Sequence, residues 1–247
     1  MSVILEAIGL SKSFLLKGQS RLILDAASLT LAEGEFLTII GASGCGKSTF
    51  LELLAGVTRP DHGSVVYMGE EITAKGGKLG YMPQDDLLFP WLSVRDNALL
   101  PARVARSDIR QARNRVDKLL PVFGLENHAD HLPWQLSGGL KQRTALLRTC
   151  MTEAGVLLLD EPFASLDAIT RRQLQLWLKE ISSSLALSVT LVTHDISEAI
   201  ILSSRLVLMK GDPGHFCEEF IIPPGVKEGS PAIDELKRRI FAALGIR

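Results

Sequence analysis

The chain has 247 residues, 46% of them hydrophobic, with 27 Lys and Arg balanced against 28 Asp and Glu. This is enough apolar material for one large α/β core and excludes a disordered chain. A formal charge of −1 gives no basic field or basic block of the kind a nucleic-acid-binding surface needs, so no nucleic-acid partner is expected.

The opening MSVILEAIGL lacks the charged and long apolar regions of a secretory leader. No apolar run approaches the roughly 18 residues of a membrane span. The three cysteines, Cys45, Cys150 and Cys217, are scattered and form no C-x-x-C pair. That points to reduced thiols in the cytoplasm rather than a disulfide framework or a zinc site.

Residues 3–8 and 22–31 read as strands, separated by the polar turn KGQS at 17–20. The apolar run FLTII at 36–40 predicts a short strand that delivers GASGCGKST at 41–49, and TFLELLAG then reads as a helix stopping at Gly56. The glycine-rich stretch matches G-x-x-x-x-G-K-[ST] between a strand and a helix, the context such a phosphate loop requires. Its glycines let backbone wrap phosphate oxygens, and the helix that follows presents N–H groups and a positive dipole end. Lys47 would sit on the β- and γ-phosphates of a nucleotide and Ser48 would ligate Mg²⁺. Cys45 lies inside this loop, so alkylating it is expected to block ATP binding and ATP to protect it.

GSVVYMGEEI at 63–72 returns to β character, and LGYMPQ at 79–84 reads as a strand ended by Gln84, which could touch Mg²⁺ or an attacking water. Residues 93–123 have helical spacing, with Ser93 and Asp108 as N-caps and Gly124 as a stop. Helices and short connectors continue to about Cys150. Within them LSGGLKQR at 136–143 sets two glycines before a basic, helix-compatible run, a second arrangement able to present bare N–H groups to an anion.

VLLL at 156–159 predicts a buried strand that delivers Asp160 and Glu161 at its C-terminal end, the edge where ligands bind in open α/β sheets. Asp160 suits a water-mediated Mg²⁺ contact and Glu161 a general base for water. Alone, such a pair is an ordinary acidic turn; with the phosphate loop it becomes a site. A helix at 169–182 and a strand at 189–193 follow. The strand ends in Thr193-His194-Asp195, where a neutral imidazole could donate to a γ-phosphate. A helix then starts from Asp195, and a strand covers 205–210. Phe14 could stack on an adenine ring or belong to the core. GDPGH at 211–215 and IIPPG at 221–225 read as turns or linkers. In the tail, Ser230-Pro231 gives an N-cap and a proline at the first helical position, with Ile233, Leu236, Ile240 and Leu244 on one face.

Taken in order, the loop 41–49, Gln84, LSGGLKQR, LLLDE at 157–161, SLD at 165–167 and His194 resemble the ATP-binding cassette (ABC) ATPases over roughly residues 4–210. The resemblance implies an α/β fold. It comprises a RecA-like P-loop core (1–88 and 155–225) with an antiparallel β subdomain, a helical insert at 89–154 carrying the signature motif, and a C-terminal helix at 226–247. It implies ATP and Mg²⁺ as cofactors. ATP is held by Gly41, Ala42, Ser43, Gly44, Cys45, Gly46, Lys47, Ser48 and Thr49, with Phe14 on the base. Mg²⁺ is near Ser48, Gln84 and Asp160, and Glu161, His194 and Lys47 are catalytic.

The resemblance also accounts for the second anion loop. In ABC ATPases the signature caps ATP held by the partner's phosphate loop, so Ser137, Gly138, Gly139 and Leu140 would act in trans in a head-to-tail homodimer. Asp167 would then lie at the interface. Leu140 departs from the Gln of many members. QDDLLFPWLSVRDN at 84–97 is similar to the nitrate/sulfonate/taurine-type importer ATPases. This implies a place on the inner face of the cell membrane, a permease docking near Leu87–Trp91 and, indirectly, a solute-binding protein. A soluble single-cassette member, such as an iron–sulfur assembly factor, is the alternative. Glu161 and His194 argue against a module without turnover.

Overall fold

The computed structural model describes residues 2–16, 18–223 and 230–245. Lys17 of the expected first turn, Pro224 and Gly225 of the expected linker, and 226–229 and 246–247 of the tail lie outside them. The chain opens on two long antiparallel strands, β1 (Val3–Leu16) and β2 (Gln19–Ala32). The sequence suggests a strand ending at residue 8. Register shifts between Ala7 and Leu10 and between Leu10 and Lys12 absorb Gly9, so pairing continues. Next come β3 (Phe36–Ile40), α1 (Lys47–Ala55) and the hairpin β4 (His62–Tyr67) and β5 (Glu70–Glu71). The expected 63–72 strand is thus two strands, turned at Met68-Gly69, where both residues have positive φ.

β6 covers only Gly80–Met82, leaving Gln84 in the following loop. The middle of the chain is helical: α2 (Val94–Ala98), α3 (Leu100–Val104), α4 (Ile109–Val122) and α5 (Gly138–Cys150). Ser93 caps α2 by accepting from the Asp96 N–H, and Asp108 caps α4 by accepting from the N–H groups of Arg110 and Gln111. β7 (Val156–Asp160), α6 (Ala168–Ser184), β8 (Ser188–Thr193), α7 (Ile196–Leu202) and β9 (Arg205–Gly211) restore strand–helix alternation.

A further strand, β10 (Gly214–Ile221), occupies what reads in sequence as a linker. It folds back on β9 around the turn at Asp212-Pro213 and hides its strand character behind Glu218 and Glu219, which face solvent. The last helix, α8 (Pro231–Leu244), buries Ile233, Leu236 and Ile240, but the Ser230 hydroxyl makes no capping bond. Pro231 and the backbone of Ser230 start that helix instead.

Among the described residues one sheet runs β5-β4-β1-β2-β10-β9-β3-β8-β7-β6. The β9-β3-β8-β7-β6 block is parallel and the β5-β4-β1-β2 block antiparallel. Strand parity divides the core. Leu157, Leu159, Val189 and Leu191 face the inserted helices in one cluster, while Val156, Leu158 and Val192 face α1 and the antiparallel strands in another. A third cluster seats α7 and α8 on Ile40, Leu206 and Leu208. Arg205 locks the junction of the two blocks. It donates to Glu35 at 2.6 Å and to the Thr30 carbonyl, and it reaches Glu219 at 3.2 Å. The Glu35 hydrogen bond raises the guanidinium pKa above its ordinary value.

Candidate functional site

Three adjacent parallel strands bring the chemistry to one edge. In the ladder Ile40 pairs with Thr193 and Asp160 with Val192. The phosphate loop, the His194 turn and the Asp160-Glu161 pair therefore leave β3, β8 and β7 side by side, as the switch-edge rule requires. A cavity of about 490 Å³ opens there, lined by Phe14, Ile23, Ser43, Gly44, Gly46, Lys47, Ser48, Thr49, Gln84, Glu161 and His194.

Gly46 takes φ +99 as the residue before α1, and no side chain caps that helix, so its first N–H groups point to the cavity. Gly41 sits against the Met209 carbonyl and 2.9 Å from the Cys45 sulfur measured from where a Cβ would stand. Lys47 is 5% exposed, and its ammonium donates to the carbonyls of Gly41 and Ala42, each at 2.9 Å. The Ser48 hydroxyl donates to Asp160 at 3.1 Å. Burial pushes the Asp160 carboxyl above its usual range, against the opposing pull of that hydroxyl. With Gln84 in the same cavity, this is a set of hard oxygen donors beside a phosphate cradle. Its chemistry fits Mg²⁺, which favours hard oxygen ligands and would supply positive charge beside the phosphates. Among the described residues no cluster of three or more His, Cys, Asp or Glu forms a metal cage.

Glu161 stands at φ +42 in the left-handed region, held there by its N–H donating to the Val192 carbonyl at 2.9 Å. Its carboxylate lies 2.9 Å from His194 Nδ1, with Glu161 18% and His194 60% exposed at the side chain. A carboxylate so placed can accept a proton from a water on the cavity side while the imidazole holds one of its oxygens. Phe14 lies at the cavity rim with the Lys12 ammonium 5.5 Å over its ring.

The second anion loop lies elsewhere. Ser137 caps α5, its hydroxyl accepting from the Leu140 N–H at 3.4 Å. None of Ser137, Gly138, Gly139 and Leu140 lines the cavity that holds Lys47. Leu140 is partly buried and packs against the main core. Gly138 and Gly139 pack against Leu166 and Thr170. Asp167 caps α6 by accepting from the N–H groups of Ile169 and Thr170, and these bonds lower its pKa. Cys45 departs from expectation. Its thiol is buried, directed at the Met209 carbonyl 3.7 Å away, and burial raises its pKa.

Leu87, Phe89, Pro90 and Trp91 are exposed, whereas Leu88 is buried. Residues the sequence did not single out hold this patch in place. Arg148 donates to the carbonyls of Leu87 at 2.7 Å and Asp86 at 2.6 Å. Buried Asn97 binds Phe89 through both its N–H and its carbonyl. The sequence also missed Ile23 in the cavity and Glu198 behind it. Glu198 stands three residues after the N-cap Asp195, the spacing of a capping box, which is the one signal that marks it.

A model of the family described as "ABC transporter" matches residues 24–164. The taurine import ATP-binding protein TauB of Pseudomonas aeruginosa strain PAO1 is 42% identical over 209 residues, covering 85% of this chain and 80% of that protein. The aliphatic sulfonates import ATP-binding protein SsuB of Bacillus subtilis strain 168 is 41% identical over 203 residues, covering 82% and 78%. Among solved structures, the dimeric post-hydrolysis state of the ATP-binding cassette MJ0796 bound to ADP and Pi superposes with a TM-score of 0.76. It is 27% identical and covers 89% of this chain and 99% of that one. No helix among the described residues is long and apolar enough to cross a membrane.

Proposed function

This chain belongs to the ABC transporter family and is the ATP-hydrolysing subunit of a bacterial importer; from that premise we propose how its residues divide the work. ATP enters the 490 Å³ cavity with its phosphates on Gly41–Thr49 and its base toward Phe14. Lys47 exchanges two loop carbonyls for phosphate oxygens. Ser48, Gln84 and Asp160 would hold Mg²⁺, which would neutralise phosphate charge. Glu161 takes the proton of the attacking water, and His194 keeps the Glu161 carboxylate aimed and faces the γ-phosphate. The Leu87–Trp91 patch docks a permease at the inner face of the membrane. Solute choice falls to that permease and to a solute-binding protein. The named functions of the relatives favour this reading over an iron–sulfur assembly role.

One observation carries the proposal: a single copy gathers Phe14, most of the phosphate loop, Gln84, Glu161 and His194 around one cavity, with Asp160 bonded to Ser48 behind it, while the signature residues lie outside. A second copy, turned head-to-tail, supplies Ser137–Gly139 to the open face. ATP then stabilises the closed pair and hydrolysis releases it.

Co-assembly of two inactive variants tests this. Homodimers of Ser137→Arg and of Glu161→Gln both lack turnover. A mixed dimer has one site with both lesions and one intact site, built from Glu161 of the first copy and Ser137 of the second. Recovered hydrolysis in the mixed dimer is expected. No recovery in a verified mixed dimer refutes the trans arrangement.

A further inference from the structure

Beside Glu161 lies a second, smaller space of about 40 Å³. It is lined by Glu161, Phe163, Ala164, Arg171, Thr193, His194, Asp195 and Glu198. Glu161 lines both this space and the nucleotide cavity. Two polar atoms of its lining are buried without a partner, Glu198 Oε1 and Arg171 Nε. Glu198 is 5% exposed, and its other oxygen accepts from the Thr193 hydroxyl at 3.1 Å. Arg171 spends Nη2 on the Leu166 carbonyl at 2.8 Å. A buried carboxylate oxygen and a buried guanidinium N–H, both unpaired in one polar space, are each costly to leave so. The space exceeds the roughly 10–15 Å³ that one water needs.

We propose that Arg171 and Glu198 grip a buried water in this space and so act as positioning residues for Glu161 and for the Leu166–Asp167 turn. The water accepts from Arg171 Nε–H and donates one hydrogen to Glu198 Oε1. Its second hydrogen remains for the Glu161 side of the space. The bridge joins three elements: the end of β7 carrying Glu161, the first turn of α7 beside His194, and the start of α6. Since Arg171 also holds Leu166, displacement of the Glu161 turn is resisted by the turn that leads to Asp167.

The charges around Glu198 are few. Arg171 on α6 favours its ionised form; Asp195 on its own helix and Glu161 on β7 oppose it, and His194 borders the same space. Burial dominates and pushes the Glu198 carboxyl up to about 7. Folding therefore binds a proton that the unfolded chain releases at its ordinary value near 4.5. The resulting stability is complete below about pH 4.5 and lost as pH rises through about 7.

The proposal rests on Glu161 as the catalytic base, and the test separates the two. ATP turnover of the full chain, in its assembled transporter, is measured against pH. Glu198→Leu, which removes the acceptor, should lower kcat roughly tenfold, the scale of a displaced catalytic group, and leave KM for ATP within about twofold. It should also remove an ionisation near pH 7 from the kcat profile, together with the matching slope in thermal stability. An infrared carboxylic-acid band titrating near pH 7 should vanish in the same variant. Should that variant melt early, Arg171→Lys, which keeps the charge and withdraws Nε–H, carries the same kinetic expectation. Wild-type kcat and pH profile in Glu198→Leu, or a high-resolution map with the space dry, would overturn the bridge. If Glu161→Gln still abolishes turnover, the base survives that result; normal turnover in Glu161→Gln would remove the base assignment itself.

Discussion

The exposed patch gives the sharpest test of what this surface is for. Trp91 is 70% exposed and Leu88, three residues earlier, only 8%. The Trp91 ring meets Phe89 edge-on, with centroids 5.4 Å apart. If about 30% of a ring surface of roughly 250 Å² is buried, at about 25 cal/mol per Å², replacing it by Asp costs about 2 kcal/mol of folding stability. For a domain of this size that lowers Tm by about 4–8 °C and leaves a cooperative transition. Leu88→Asp instead places a charge in the main core and should abolish the cooperative transition. An aromatic anchor at the centre of a docking surface contributes about 2 kcal/mol or more to association, about 30-fold in affinity. Trp91→Asp should therefore unfold almost normally while losing co-purification with the permease from detergent-solubilised membranes, and transport should fall with it. Melting by circular dichroism and a quantified pull-down give the two numbers. Undiminished co-purification, or a Trp91→Asp melt as damaged as that of Leu88→Asp, refutes the reasoning.

Other expectations follow from the site. Glu161→Gln, which keeps an acceptor for His194, should bind ATP and accumulate as a nucleotide-bound dimer in size-exclusion chromatography without turnover; a monomeric profile with normal hydrolysis contradicts it. Gly41→Ala puts a methyl group into the Met209 carbonyl and beside the Cys45 sulfur, so nucleotide affinity should fall at least tenfold, by equilibrium binding of a fluorescent ATP analogue, with a lower Tm. Cys45 should react with iodoacetamide far more slowly than exposed Cys217, its thiol being held up in pKa by burial; modification that is achieved should block ATP, and rapid labelling would show that the loop opens.

The three-strand edge was legible because each strand announces itself as a short β-type run ended by chemistry: FLTII before the glycines, VLLL before Asp160-Glu161, and the largely β-branched 189–193 before His194. Buried parallel strands leave that mark because both faces need apolar side chains. β10 left no such mark. It is half solvated, carries two glutamates and starts at a Pro-Gly turn, so local composition reads as linker until pairing with β9 is supplied. Glu198 carried only its capping-box spacing from Asp195, and a glutamate in a first helical turn is ordinary; its burial beside Arg171 appears only in the fold. The inward turn of Cys45 likewise depends on Met209, 164 residues away. The tail helix was read correctly from its stripe of Ile233, Leu236 and Ile240 and from Ser230-Pro231 at its start, although the Ser230 hydroxyl makes no capping bond.

The contact of Gly138 and Gly139 with Leu166 and Thr170 has a mechanical consequence. The loop that in the proposed dimer faces the second copy and the start of the helix just past the Asp-Glu pair are seated methyl against bare backbone, with no room for even a Cβ between Gly139 and Thr170. In that dimer the contact would couple the two elements, so that a shift beside one bound nucleotide would be passed as a tilt toward the other.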